Sequence, residues 1–152
     1  MDYSSRTRGD TGAAAVELAL IAPFLILSLL GAIDFGWLYA EHLDARHGAR
    51  EAGRLAATNW DPTTAPDDAP SIVAAACAFM DNDAGTTVTM TMPGGSDVGN
   101  DLLVTVKRPA ESATGLLDWA VPDSLTLTGT ATFRLETTPK SWNDVTDSPC
   151  PP

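Results

Sequence analysis

The fold of this chain is decided by the stretch Gly12–Ala40, which reads GAAAVELALIAPFLILSLLGAIDFGWLYA. Between Leu18 and Ile33 this stretch contains no charged residue. These residues alone would form about 24 Å of helix, and their flanks extend it to the ~30 Å thickness of a hydrocarbon core. We therefore predict one transmembrane helix, with Trp37 and Tyr39 at the membrane–water interface.

Three further features of the sequence bear on the shape and length of this helix. Pro23 removes one backbone hydrogen bond, which predicts a kink or loosened first turns. Asp34 follows the apolar run directly and is expected to mark the outer interface, where it could pair with Arg46 or with another subunit. Residues 41–57 are rich in strong helix formers, so the helix is predicted to leave the membrane and continue to about Thr58.

Glu17 is a carboxylate at the start of the apolar segment, where a charge is costly unless it has a partner. It follows Gly12 by five positions. A peptidase that cut after Gly12 would create an ammonium group on Ala13, about one helical turn away. Pairing between Glu17 and that group on a neighbouring subunit would set the axial register of packed helices. Alternatively, Glu17 lies at the level of the lipid headgroups, where a carboxylate costs little.

A short polar leader ending in Gly, followed by an apolar helix with Glu at its fifth position, resembles the processing site of type IV prepilins and pseudopilins. The stretch Gly12–Leu25 (GAAAVELALIAPFL), with the later GAIDFG at residues 31–36, is similar to the TadE-like family of tight-adherence pilus assembly proteins. The resemblance covers about Arg8 to Ala57, with Asp34 where the family often has Glu. It implies cleavage between Gly12 and Ala13 and a role carried by helix packing.

The resemblance further implies a minor pseudopilin or assembly component of a tight-adherence type IV pilus or related secretion apparatus. The implied partners are a prepilin peptidase, a major pilin, other pseudopilins and the inner-membrane assembly platform. The expected location is the cytoplasmic membrane or a surface filament, with the N-terminus cytoplasmic and the C-terminal domain extracytoplasmic. Two alternatives stay open: a signal-anchored extracytoplasmic binding domain with no pilus role, and a soluble domain released from a cleaved signal peptide.

The distal part of the chain predicts a small domain. Three segments alternate apolar and polar residues with period two, as half-buried strands do. Their inward residues are predicted to be Val88, Met90 and Met92, then Leu102, Val104 and Val106, then Leu125, Leu127, Ala131, Phe133 and Leu135. A short helix is predicted over Ile72–Met80, capped by Ser71, with Phe79 on its apolar face.

The predicted fold class is therefore α+β, with the short helix packed on a three-stranded antiparallel sheet. The predicted organisation is a leader at 1–12, a transmembrane and extended helix at 13–58, a proline-rich linker at 59–70, the domain at 71–136 and a tail at 137–152.

Charge and motifs exclude several functions. The net charge is −11 and the pI about 4.2, which disfavours nucleic acid or an anionic surface as a partner. The sequence has no nucleophile elbow, zinc-protease helix, phosphate-binding loop or paired-cysteine metal motif. We expect no enzymatic activity, no cofactor and no small-molecule substrate.

The remaining candidates for chemistry are two cysteines, two histidines and one acidic turn. Cys77 and Cys150 are predicted to form a disulfide outside the cytoplasm, the alternative being a buried Cys77 and a free thiol on the tail. His42 and His47 lie five positions apart rather than the four of a two-histidine metal site, so no metal is expected. The acidic run at 81–83 is interpreted as turn chemistry rather than a Ca²⁺ site.

Overall fold

A single 51-residue helix, α1 (Thr7–Ala57), dominates the computed structural model and is about 76 Å long. The structure describes residues 7–58, 69–80, 85–115, 125–139 and 143–151. Helix α1 ends within one residue of the predicted position and continues through Pro23. Half of the predicted leader (1–6), most of the predicted linker (59–68) and the acidic run at 81–83 lie outside the described residues.

The distal domain contains one short helix, α2 (Ala69–Cys77), and one antiparallel sheet. The strands are β1 (Thr87–Thr91), β2 (Asp101–Pro109), β3 (Thr126–Arg134) and β4 (Val145–Pro149), arranged in the order β3-β2-β1-β4. The α+β class is as predicted, but the three-stranded sheet was wrong, because the predicted tail contributes β4.

Strand β4 escaped prediction because in its sequence, VTDSP, the strand formers Val145 and Thr146 are followed by Asp, Ser and a terminal proline. Its strand conformation depends on partners distant in sequence. It pairs with β1 through an irregular register. The backbone N–H of Cys150, just beyond it, donates to the carbonyl of Thr86 at 3.0 Å.

The core lies between the sheet and the second half of α1. The predicted inward residues of β1 and β2 are buried, including Val88, Met90, Leu102, Val104 and Val106. On α1 the buried residues are mostly alanines, at positions 45, 49, 52 and 56. Four-residue and three-residue intervals place these alanines on one face of the helix, so a stripe of small side chains covers the sheet.

Glycines at the contact allow the helix to lie close to the sheet. A Cβ added to Gly129 of β3 would overlap the backbone of Ala45, and one added to Gly53 would overlap the ring of Phe133. On the other flank of α1, Gly48 lies against the side chain of Met80. The helix therefore lies on β3 at nearly backbone contact.

Helix α2 begins earlier and ends earlier than predicted. It stops at Cys77, after which Phe79 and Met80 donate backbone hydrogen bonds to Ala76 and Cys77 in a turn. The turn changes the direction of Phe79, whose side chain is 64 % exposed instead of facing the core. Ile72 and Ala76 are buried as expected.

Candidate functional site

The first half of α1 has no protein covering it. Its large apolar residues are exposed, and its mean hydropathy reaches 2.4 with none of the window buried. They include Val16, Leu18, Leu20, Ile21, Phe24, Leu25, Ile26, Leu27, Leu29 and Ile33. Among the described residues this is the single helix long and apolar enough to cross a membrane. An apolar surface of this extent requires lipid or other helices around it.

The sequence-predicted processing and register residues lie along this exposed half. Because α1 begins at Thr7, the Gly12–Ala13 bond lies inside the helix. Ala13 and Glu17 are both exposed, one helical turn apart. Near Pro23, the hydroxyl of Ser28 donates to the carbonyl of Phe24 at 2.8 Å, a local bond within the helix.

Asp34 lies directly after the apolar run, between exposed neighbours such as Ile33 and Phe35. Its side chain is fully buried, and its carboxylate accepts three hydrogen bonds from the segment after β2. The donors are the backbone N–H of Thr114 at 2.8 Å, the hydroxyl of Thr114 at 2.7 Å and the hydroxyl of Ser112 at 3.1 Å. The donors to Asp34 belong to its own chain, whereas Arg46, one of the partners considered from the sequence, is exposed on α1. Asp34 thus binds the distal domain to the helix at the end of the apolar run.

A buried ion cluster continues this attachment. Arg108 of β2 is 3 % exposed, with its guanidinium 3.5 Å from Oε1 of Glu41 and 3.6 Å from Oδ2 of Asp44. The indole N–H of Trp37 donates to the same Glu41 oxygen at 3.2 Å. Glu41 is itself buried, so removal of Arg108 would leave a carboxylate buried without its cation.

Arg108 could have been recognised from sequence. It follows Leu102, Val104 and Val106 at the same two-residue interval, so the strand places it on the inward face. A cation there requires a buried acid. Glu41 and Asp44, on the second half of α1, are acids that could serve as its partners. Ser112 and Thr114 carry no comparable signal, since hydroxyl residues in a connecting segment are common and usually solvated.

The two cysteines are joined by a disulfide across 73 positions. The bond connects the end of α2 to the residue after β4, so it fixes the last strand to the domain. The two histidines singled out in the sequence, His42 and His47, are half-buried and exposed, respectively. Within the described residues no group of three or more His, Cys, Asp or Glu could hold a metal ion.

A shallow groove of about 510 Å³ lies where α1 crosses β3. Its lining includes Arg50, Arg54, Thr130, Thr132 and Phe133. Arg54 forms an ion pair with Glu51, and its hydrogen bonds lower the pKa of that carboxyl below the usual range. The groove is open, it is lined by both polar and apolar groups, and nothing in the sequence analysis pointed to it.

These features define a class of protein: a chain anchored by a single apolar helix whose second half forms part of an α+β domain. Residues 12–54 match the model of a family described as TadE-like protein, which confirms the resemblance seen in the sequence. Residues 12–54 of this chain are therefore similar to TadE-like proteins. The match spans the exposed half of α1, Asp34 and the alanine stripe as far as Ala52, and ends before the sheet domain. No curated protein and no solved structure matches the chain.

Proposed function

We propose that this protein is a minor pseudopilin, an assembly component of a tight-adherence pilus or a related secretion apparatus. The observation that carries the proposal is that the family match and the candidate membrane helix occupy the same part of the chain. The TadE-like match covers residues 12–54, and the same region contains the uncovered apolar helix and its attachment to the domain. The protein would act without catalysis, by packing the Ala13–Ala40 helix against helices of other subunits.

The exposed half of α1 suits packing because it has apolar residues around its whole circumference. Helices that associate inside lipid rely on van der Waals contact and on the rare polar groups they carry. Glu17 is such a group, since residues 18–33 that follow it are uncharged. Cleavage between Gly12 and Ala13 would supply an ammonium for the Glu17 of a neighbouring subunit, and this pairing would select one axial register.

The partners in this proposal follow from the steps of assembly. A prepilin peptidase would remove the leader, and the inner-membrane platform would receive the processed subunit. A major pilin and companion pseudopilins would supply the neighbouring helices. The N-terminus would lie in the cytoplasm and the sheet domain outside the membrane, where the Cys77–Cys150 bond would be maintained.

The test is the conservative substitution Glu17→Gln in the native host, with intact mass and fibre content measured together. We expect cleavage after Gly12 to continue, while the amount of chain or major pilin in sheared fibres falls at least about tenfold, the effect of ~1.4 kcal/mol. The matched control is Glu51→Gln, an acid on the same helix outside the apolar run.

Normal fibres with normal processing in the Glu17→Gln strain would exclude the register role. An uncut chain beginning at Met1 in the wild-type strain would favour the other reading, a signal-anchored binding domain. An N-terminus near Glu41 would instead identify a released soluble domain.

A further inference from the structure

The outer edge of β3 is a regular, unpaired strand edge within the described structure. β3 is the terminal strand of the sheet and pairs with β2 without a register shift. The backbone N–H of Leu135 donates to Asn100, and that of Ala110 donates to Leu125, at the two ends of this ladder. Hydrogen-bonded pairs alternate along an antiparallel ladder. The odd-numbered residues of β3 therefore face β2, and the peptide groups of Thr128, Thr130 and Thr132 point to the free edge.

The two edges of the sheet differ in protection. The opposite edge strand, β4, has five residues, a terminal proline, an irregular register and Asp147 at a φ of 44°. Such features prevent another strand from adding to an edge. β3 has nine residues, with threonines at alternate positions and neither proline nor bulge. Its edge therefore retains a row of donors and acceptors suited to an additional strand.

The flank of α1 beside this edge has more basic than acidic groups, although the whole chain carries a net charge of −11. Its one acid in the groove, Glu51, pairs with Arg54. Arg46, Arg50 and Arg54 are all exposed and follow one another at four-residue intervals, so they lie along one side of the helix. Arg134, the last residue of β3, lines a second groove together with Arg54 and Glu136. Four of the nine Lys and Arg residues of the chain are thus near one strand edge.

Lipid headgroups do not fit this basic side as its ligand. Arg50 lies sixteen residues beyond Asp34 on α1, which corresponds to about 24 Å of helix beyond the end of the apolar run. The headgroup region on each side of a bilayer is only about 5–8 Å deep. A protein segment is therefore the ligand that can reach both the strand edge and the arginines.

We infer that the outer edge of β3 binds an extended acidic segment of a partner protein as a fifth strand. The backbone of the segment would pair with Thr128, Thr130 and Thr132, and its carboxylates would face Arg50, because Arg54 already pairs with Glu51. This interaction goes beyond helix packing in the membrane. It does not depend on cleavage after Gly12, so either proposal can fail without the other.

The backbone part is tested with the oxidised full-length chain in detergent micelles. The probe is a labelled nine-residue peptide in which threonine and valine alternate. Three aspartates replace residues at alternate positions, so that all three lie on one face of the extended strand. Thr130→Pro removes an outward N–H without removing a bond to β2, and edge strands tolerate proline at such positions. The matched control, Thr130→Val, keeps the N–H. We expect Thr130→Pro to weaken binding at least about tenfold and Thr130→Val to leave it within about twofold.

The charge part uses two further peptides, with asparagine or lysine in place of the aspartates. We expect the neutral peptide to bind more weakly than the acidic one, and added salt to reduce the difference. Arg50→Glu should weaken binding of the acidic peptide several-fold and strengthen binding of the lysine peptide.

Unchanged binding to the Thr130→Pro variant, or equal binding of the acidic and lysine peptides, would overturn the proposal. Failure of the acidic peptide to bind, together with self-association that Thr130→Pro abolishes, would also overturn it, because the ligand would then be a second copy of this chain.

Discussion

The two halves of α1 solve the same problem in opposite ways. Residues 12–33 expose large apolar side chains on every side, whereas residues 45–57 bury alanines and glycines against a sheet. The more hydrophobic half is the exposed one. The comparison shows that hydrophobicity predicts whether a helix surface must be buried. Side-chain size predicts whether it is buried by the same chain or by lipid and other subunits. Small residues allow the covering to come from the same chain, and large ones leave it to lipid or to other subunits.

The first way to break this comparison is to detach the packed half with Arg108→Met. The substitution keeps the volume of the side chain but leaves Glu41 and Asp44 without their buried cation. Removal of one partner from such a cluster costs about 3–5 kcal/mol. We expect a correspondingly lower free energy of unfolding for the sheet domain, measured in detergent by denaturant titration with circular dichroism.

A triple variant, Arg108→Met with Glu41→Gln and Asp44→Asn, provides the control. It should recover part of the loss, because it no longer buries uncompensated charge. A single variant as stable as wild type would show that the cluster does not hold the domain on the helix.

A smaller effect is expected from adding one methyl group where the two surfaces meet. Gly129→Ala places a Cβ against the backbone of Ala45, which cannot withdraw as a flexible side chain would. Overpacking of this kind costs about 1–3 kcal/mol. The measurement is again the free energy of unfolding of the oxidised domain.

The matched control for that prediction is Gly36→Ala, the same change at a helical position with open space around it. It should be neutral or slightly stabilising, because alanine is the better helix former by up to about 1 kcal/mol. Equal destabilisation by both variants would contradict close contact between α1 and β3.

The smallest effect on the domain should come from the exposed half. Leu29 is 63 % exposed, so Leu29→Ala should change the free energy of unfolding of the sheet domain by less than about 0.5 kcal/mol. Leu55, on the packed half, is 2 % exposed, and Leu55→Ala serves as the positive control, at about 2–5 kcal/mol. Similar losses for both would mean that residues 12–33 contribute to the folded domain as well.

Sequence alone accounted for whatever rests on local patterns. The apolar run, the family resemblance, the end of α1 near Thr58 and the alternation of β1 and β2 depend on neighbours in the chain. The donors to Asp34 could not be predicted in this way, because Ser112 and Thr114 lie 78 and 80 positions away in the sequence. Strand β4 was missed for the same reason, since its pairing with β1 compensates for its poor propensity. Arg108 lies between these cases: its inward position follows from the alternation of β2, but its acidic partners belong to α1, more than sixty positions away.

Asp34 has a consequence for the mechanics of the molecule. It attaches the domain at the end of the apolar run, and the N–H of Glu136 donates to the carbonyl of Ala57 at the other end of the packed half. The two attachments are separated by about 35 Å along a single helix. The domain therefore cannot swivel on its anchor: a rotation of the membrane helix by one residue position, about 100°, turns the free edge of β3 through the same angle. The angular setting of the anchor thus determines which way the outer strand faces.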